Sequence, residues 1–167
     1  HTRKDKDMAV SGYMKIAEIP GESGRKDHEE EIIIASLSWS ASRPMVNTPG
    51  VGRSTGMASA SSLTISKFYD KSSPYLSQAV LLATAFPEIV VTLRKDSGET
   101  HLDYLTITLS DCMIESYTFS GASDVETPPM ESVSIVFNKL KVLYIEQASD
   151  HSAGGEHEFE YDIVAGA

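Results

Sequence analysis

Hydrophobic positions along this chain recur mostly at every second residue. Ala35, Leu37 and Trp39 alternate with Ile34, Ser36 and Ser38. Ile89, Val91 and Leu93 alternate with Val90, Thr92 and Arg94, and Leu105, Ile107 and Leu109 alternate with Tyr104, Thr106 and Thr108. Such a period marks strands that bury one face. Turn-forming clusters at 20–27, 96–99, 120–129 and 149–156 divide the runs into about eight strands, near 10–19, 31–41, 58–69, 88–95, 101–110, 112–120, 132–146 and 156–164. The predicted fold class is mainly β, an antiparallel β-barrel or two-sheet sandwich. In SVSIVFNKLKVLYIE the apolar set moves from Val133, Ile135 and Phe137 to Leu140, Val142 and Tyr144, so its parity slips at Asn138 and Lys139. A slip of one residue turns every later side chain to the other face. It predicts a β-bulge there, or a strand that leaves one sheet for another.

Two segments break the period. In KFYDKSSPYLSQAVLLATAFPEI, residues 67–89, Leu76, Ala79, Val80 and Ala83 follow the spacing of a helix stripe. Ser73 before Pro74 reads as an N-cap with a first-turn proline, and Pro87 as the stop, which predicts one short α-helix over about 74–85. A helix this short is marginal alone, so tertiary packing must hold it, across one open end of the barrel. The second segment, RPMVNTPGVGRSTGM at 43–57, reads as a long extended loop without secondary structure, a class that is usually functional or disordered.

Composition narrows the function. At 167 residues and 41% hydrophobic, the chain is long enough for one core, and 8–167 is predicted as a single domain. HTRKDKD at 1–7 reads as an expression remnant. Removing its three cations and two acids from the net charge of −10 leaves −11 from Met8 onward. An acidic chain without clustered cations argues against nucleic-acid binding, and the lack of a long apolar run argues against membrane insertion. The one cysteine, Cys112, excludes an internal disulfide and reads as a small buried hydrophobe. MAVSGYMKI lacks the features of a secretory signal, so folding in the cytoplasm is expected, with any export by a route that needs no signal peptide.

Catalytic motifs are weak. Gly21-Glu22-Ser23 lacks the second glycine of a nucleophile elbow, and GVGRSTG fits neither a dinucleotide fingerprint nor a P-loop. His28 with Glu29, Glu30 and Glu31 reads as a solvated turn entering a strand, since strand neighbours point to opposite faces. His101 with Asp103, and His157 with Glu158 and Glu160, read the same way. No catalytic, cofactor-binding or metal-binding residue is predicted, no cofactor is expected, and the chain is not expected to be an enzyme.

The segments YMKIAEIPGES, HEEEI leading to SLSWS, FYDKSSPYL, YLTITLSDCMIESY and ESVSIVFNKLKVLYIEQ together resemble the haemolysin-coregulated protein family, the tube subunits of type VI secretion. The resemblance runs from about Met8 to the C-terminus. It departs at Gly24, where family members are often charged, and at the proline-rich 120–129. It implies a small β-barrel with one helix, forming hexameric rings that stack into a hollow tube. The lumen would hold and protect effector proteins, and spike and sheath components would be partners in export. Within that comparison the loop after the second strand reaches neighbouring copies and stacked rings, which assigns contacts to Arg43, Pro44, Met45, Val46, Asn47, Thr48, Pro49 and Arg53. Ser38, between Leu37 and Trp39, would face the lumen and its cargo. The end at Ala167 is expected to leave no room for a fused toxin domain.

Six copies of an acidic chain repel one another, so assembly is expected to strengthen with salt. Two other readings compete: a monomeric β-barrel binding a small molecule inside, and a hydrolase with a scattered site.

Overall fold

The computed structural model describes residues 9–123 and 126–167. The expected remnant at 1–7 lies outside them. The described chain runs β1 (Ala9–Lys15), β2 (Ile32–Ile34), β3 (Ser36–Ser38), β4 (Ala41–Ser42), β5 (Met45–Thr48), β6 (Gly52–Thr55), β7 (Ser59–Ala60), β8 (Leu63–Phe68), α1 (Ser73–Leu81), β9 (Ala85–Ser97), β10 (Thr100–Ser120), β11 (Met130–Val136), β12 (Lys139–Gln147) and β13 (Ala153–Asp162). All pairings are antiparallel. The main sheet follows the order β2-β1-β9-β10-β11-β8-β3, with β12 on β10 and β13 on β12. Its two ends meet in one stretch of chain: β2 pairs with β1, β3 pairs with β8, and the Ala35 N–H between them donates to the Ser66 carbonyl at 2.7 Å. The sheet thereby wraps round its own interior.

Strand β10 is the spine, and the expected break at 111 is a kink within it rather than an end. Its inward set moves from Ile107 and Leu109 to Cys112 and Ile114, and Asp111 absorbs the slip at φ +53°. Pro87, expected to stop the helix, lies in β9 between Phe86 and Glu88, which pair with Cys112 and Ser110. Having no N–H, it is tolerated where the partner strand is already bent. The parity slip at Asn138–Lys139 separates β11 from β12. Both lie along β10, but β11 takes β8 as its outer neighbour and β12 takes β13.

The helix ends four residues before the predicted boundary because the backbone closes it. The Thr84 N–H reaches the Ala79 carbonyl at 3.0 Å and the Ala83 N–H reaches Val80 at 3.3 Å, with Ala83 at φ +52°. This is a Schellman closure with alanine in the place glycine usually takes. Ser73 is not the N-cap either; Ser72 holds that position, without a side-chain cap bond. Leu76 and Ala79 enter the core beside Met14, Ile32, Ile65, Ile89, Leu109 and Ile135.

Cys112 has no exposed surface, and burial pushes its thiol up to about 12, with smaller contributions from the nearby carboxylates of Asp111 and Glu88. The thiolate is the reactive form. A disulfide-exchange reagent at pH 8 is expected to leave the folded protein unlabelled over an hour and to titrate one thiol in denaturant. Rapid native labelling would contradict this packing.

Candidate functional site

The segment read as a structureless loop is a β-hairpin arm. Its base is β4 paired with β7, and its shaft is β5 paired with β6. Pro49 and Gly50 make the turn: Gly50 lies at φ +84° and the Val51 N–H donates to the Thr48 carbonyl at 3.1 Å, the pattern of a type II turn. Every residue from Ser40 to Ser59 is exposed. Met45, Val46, Val51 and Met57 therefore present apolar side chains that no element of the described chain covers. Arg43 and Pro44 lead into β5, Asn47, Thr48 and Pro49 run to the tip, and Arg53 stands opposite Asn47. The sequence from Ile32 to Tyr69 holds no acidic residue, although the chain has 24. Among the described residues the arm therefore carries two cations, Arg43 and Arg53, and no acid, in an acidic protein.

Ser38 lies apart from these, on an open sheet face. It is in register with Thr64, which pairs with Ser134, which pairs with Ser116; one rung along, Ser36, Ser66, Ser132 and Thr118 line up in the same way. These two rungs of hydroxyls across four strands are all at least partly exposed, and they carry no charge. Within them Ser36 and Ser66 are 2.5 Å apart and Thr64 and Ser134 3.1 Å apart.

Beneath this face lies an ionic cluster that the linear sequence did not reveal. Lys67 and Glu131 are paired in register on β8 and β11, both buried, at 2.5 Å. The Lys67 Nζ also donates to Asp70 Oδ1 at 2.9 Å, Ser73 Oγ at 3.2 Å and the Phe68 carbonyl at 3.1 Å. Ser73 Oγ donates to Glu131 at 2.7 Å, and the Tyr117 hydroxyl donates to the other Glu131 oxygen. Burial, and then Glu131, hold the Tyr117 phenol well above its ordinary pKa. The DKSSP box thus anchors the start of α1 to the sheet.

His28 requires a correction. It is 5% exposed and stacks on Tyr13 with ring centres 4.4 Å apart. Its Nδ1 lies 2.7 Å from Glu31 Oε2, and its Nε2 lies 3.0 Å from Asp103, which also accepts from Arg94 Nε at 2.9 Å. The expected solvated turn is a buried network pinned by a residue 75 positions away. His101 instead meets Asp96, and His157 meets Glu146, both near the surface. Among the described residues no group of three or more histidine, cysteine or acidic side chains could hold a metal ion, and no helix is long and apolar enough to cross a membrane.

A self-wrapped antiparallel sheet, one helix seated on it and an uncovered hairpin arm define the class: a β-rich protein whose most prominent feature points away from its own core. Residues 13–144 match the family described as "Type VI secretion system effector, Hcp". The chain is 34% identical over 148 residues to Protein hcp1 of Pseudomonas aeruginosa, covering 89% of this chain and 91% of that protein. Hcp1 from Salmonella typhimurium has the same fold, with a TM-score of 0.75 at 27% identity over 95% of this chain and 97% of that one. A further type six secretion system protein matches with a TM-score of 0.89 at 23% identity, over 95% and 99% of the two chains. The chain belongs to the Hcp family and is a type VI secretion tube protein.

Proposed function

We propose that residues 8–167 act as one unit that assembles into hexameric rings, stacks them into a hollow tube, and carries effector proteins in the lumen. The subunit then leaves the cell through the type VI machine without a signal peptide, with spike and sheath components as its partners there. It works by assembly, not by catalysis. The observation that carries this reading is the arm: a hairpin exposed on every residue, with four apolar side chains uncovered, gains stability only when another surface buries them. Arg43, Pro44, Met45, Val46, Asn47, Thr48, Pro49 and Arg53 are its contact residues with neighbouring copies. Head-to-tail contacts of this kind close into a ring when the rotation allows. The uncharged hydroxyl rungs around Ser38 suit a channel wall, because they offer hydrogen bonds to a passing protein without fixing it by charge. A barrel that binds a small molecule inside is disfavoured, because fully buried Met14, Ile32, Ile65, Leu109 and Ile135 occupy the interior.

Native mass spectrometry of the whole protein is expected to give six times the chain mass. Deleting Val46 to Thr55 removes only exposed residues, so it is expected to leave the thermal midpoint within a few degrees while abolishing ring stacking in sedimentation. A solitary wild-type chain at every concentration would end this reading.

A further inference from the structure

The imidazole of His28 is placed so that both of its ring nitrogens face carboxylates. Nδ1 lies 2.7 Å from Glu31 Oε2, and Nε2 lies 3.0 Å from each of the two Asp103 oxygens. A neutral imidazole carries one N–H and presents a lone pair on its other nitrogen. In that form one of the two contacts sets a lone pair against a carboxylate oxygen, at a site where both His28 and Glu31 are buried. The doubly protonated ring donates to both.

Charge balance points the same way. The charged and titratable groups around the ring are Tyr13 on β1, stacked on its face, Arg94 on β9, Asp103 on β10, and Asp27 and Glu31 on its own stretch of chain. Arg94 reaches Asp103 through Nε at 2.9 Å and Asp27 through Nη2 at 3.8 Å, and its Nη1 donates to the Lys26 carbonyl at 2.9 Å. Among the described residues no ion pair joins Arg94 to Glu31. Beside a neutral ring, Glu31 is a buried carboxylate without a cation, which is a costly arrangement. The imidazolium supplies that cation.

We propose that His28 is a proton-dependent latch: as an imidazolium it fastens the stretch 20–31 to the sheet, and loss of one proton releases it. The Gly21 N–H donates to the Glu30 carbonyl and the Ser23 N–H to the Glu31 carbonyl, so the chain on either side of His28 closes into one loop. That loop also reaches the helix. Glu22 Oε1 accepts from the Lys71 N–H at 3.1 Å, one residue before the Ser72 cap of α1. Release therefore frees a segment that bridges the sheet and the helix start, and that carries Glu22, Arg25, Lys26, Asp27, Glu29 and Glu30 on the exposed surface. The sign follows from which form of the ring binds. The protonated ring holds both carboxylates, so the stabilisation is complete on the acid side of its titration and disappears as pH rises and the proton leaves.

The test uses the full chain with isotopically labelled histidine. At about pH 6 nuclear magnetic resonance is expected to show two bonded protons on the His28 ring, assigned by their absence in His28→Phe. Amide-exchange protection at Gly21, Ser23 and Glu30, corrected for the intrinsic effect of pH on exchange, is expected to fall about tenfold or more between about pH 6 and about pH 9, while protection at Ile107 and Leu109 in β10 changes little. His28→Phe is expected to abolish this pH dependence, at lower protection throughout. Glu31→Gln keeps the shape and an acceptor oxygen but removes the charge nearest Nδ1, so the fall should move to lower pH; this milder variant carries the test where His28→Phe does not fold. A ring with one proton at about pH 6, as a neutral Glu31 donating to Nδ1 would produce, overturns the latch. So does protection that holds across the pH range, falls equally in His28→Phe, or falls at an unchanged pH in Glu31→Gln.

Discussion

Replacing Lys67 by alanine is expected to lower the unfolding free energy by about 3–5 kcal/mol, the usual cost of removing one partner from a buried ion pair. Lys67 has no exposed surface, and its ammonium faces Glu131, Asp70, Ser73 and a backbone carbonyl. Without it, Glu131 remains buried with only neutral donors, Ser73 and Tyr117, and Asp70 loses the cation beside its Ser72 contacts. The loss should appear in urea denaturation as a lower midpoint with an unchanged slope. Because much of the cost comes from the stranded carboxylate rather than from the pair's net value, the double variant Lys67→Met with Glu131→Gln should recover most of the stability. A double variant as unstable as Lys67→Ala would show that the site's shape, not its charge balance, carries the energy. Restored stability with a loosened helix start would show instead that the pair serves mainly to seat α1.

This cluster also shows how much of the molecule could be read in advance. Leu63, Ile65 and Lys67 share one parity, as do Glu131, Val133 and Ile135, so a lysine and a glutamate each occupy an inward position. That signal was present in the sequence, but only pairing β8 with β11 shows that the two charges face each other. Alternation was enough to find the main strands, and the shift at Asn138–Lys139 marked where the outer neighbour changes. The arm was missed as a hairpin for a physical reason. Both of its faces are in solvent, so Met45 and Val46 stand side by side and no period of two develops. Backbone hydrogen bonds and the Pro49-Gly50 turn hold it instead. The helix end was misplaced because Ala83, an ordinary helix former, adopts the left-handed conformation that usually marks a glycine.

The His28 network was hidden more deeply, since RKDHEEE is polar throughout and its burial depends on Asp103 and Arg94 on distant strands. Changing His28 to alanine is expected to cost about 3 kcal/mol, the sum of charge-assisted hydrogen bonds at roughly 1.5–3 kcal/mol and lost aromatic stacking at about 0.5–1.5 kcal/mol, less what relaxation recovers. Glu31 is the more exposed to the change, because its side chain is buried and His28 is its hydrogen-bond donor, whereas Asp103 keeps Arg94. The damage should begin locally. Here the chain doubles back on itself: the Gly21 N–H donates to the Glu30 carbonyl at 2.7 Å, and the Ser23 N–H donates to Glu31 at 3.0 Å. A side chain at Gly21 would meet the Glu31 carbonyl oxygen at 2.2 Å, so these two passes hold one arrangement only, and His28 pins it to the sheet. Amide exchange at Gly21, Ser23 and Glu30 should therefore quicken well before exchange in β10. His28→Phe separates the contributions, since it keeps the stack on Tyr13 but donates to neither carboxylate. It should restore at most about 1 kcal/mol of the loss, and full restoration would mean that the two carboxylates flanking His28 contribute nothing to holding this loop.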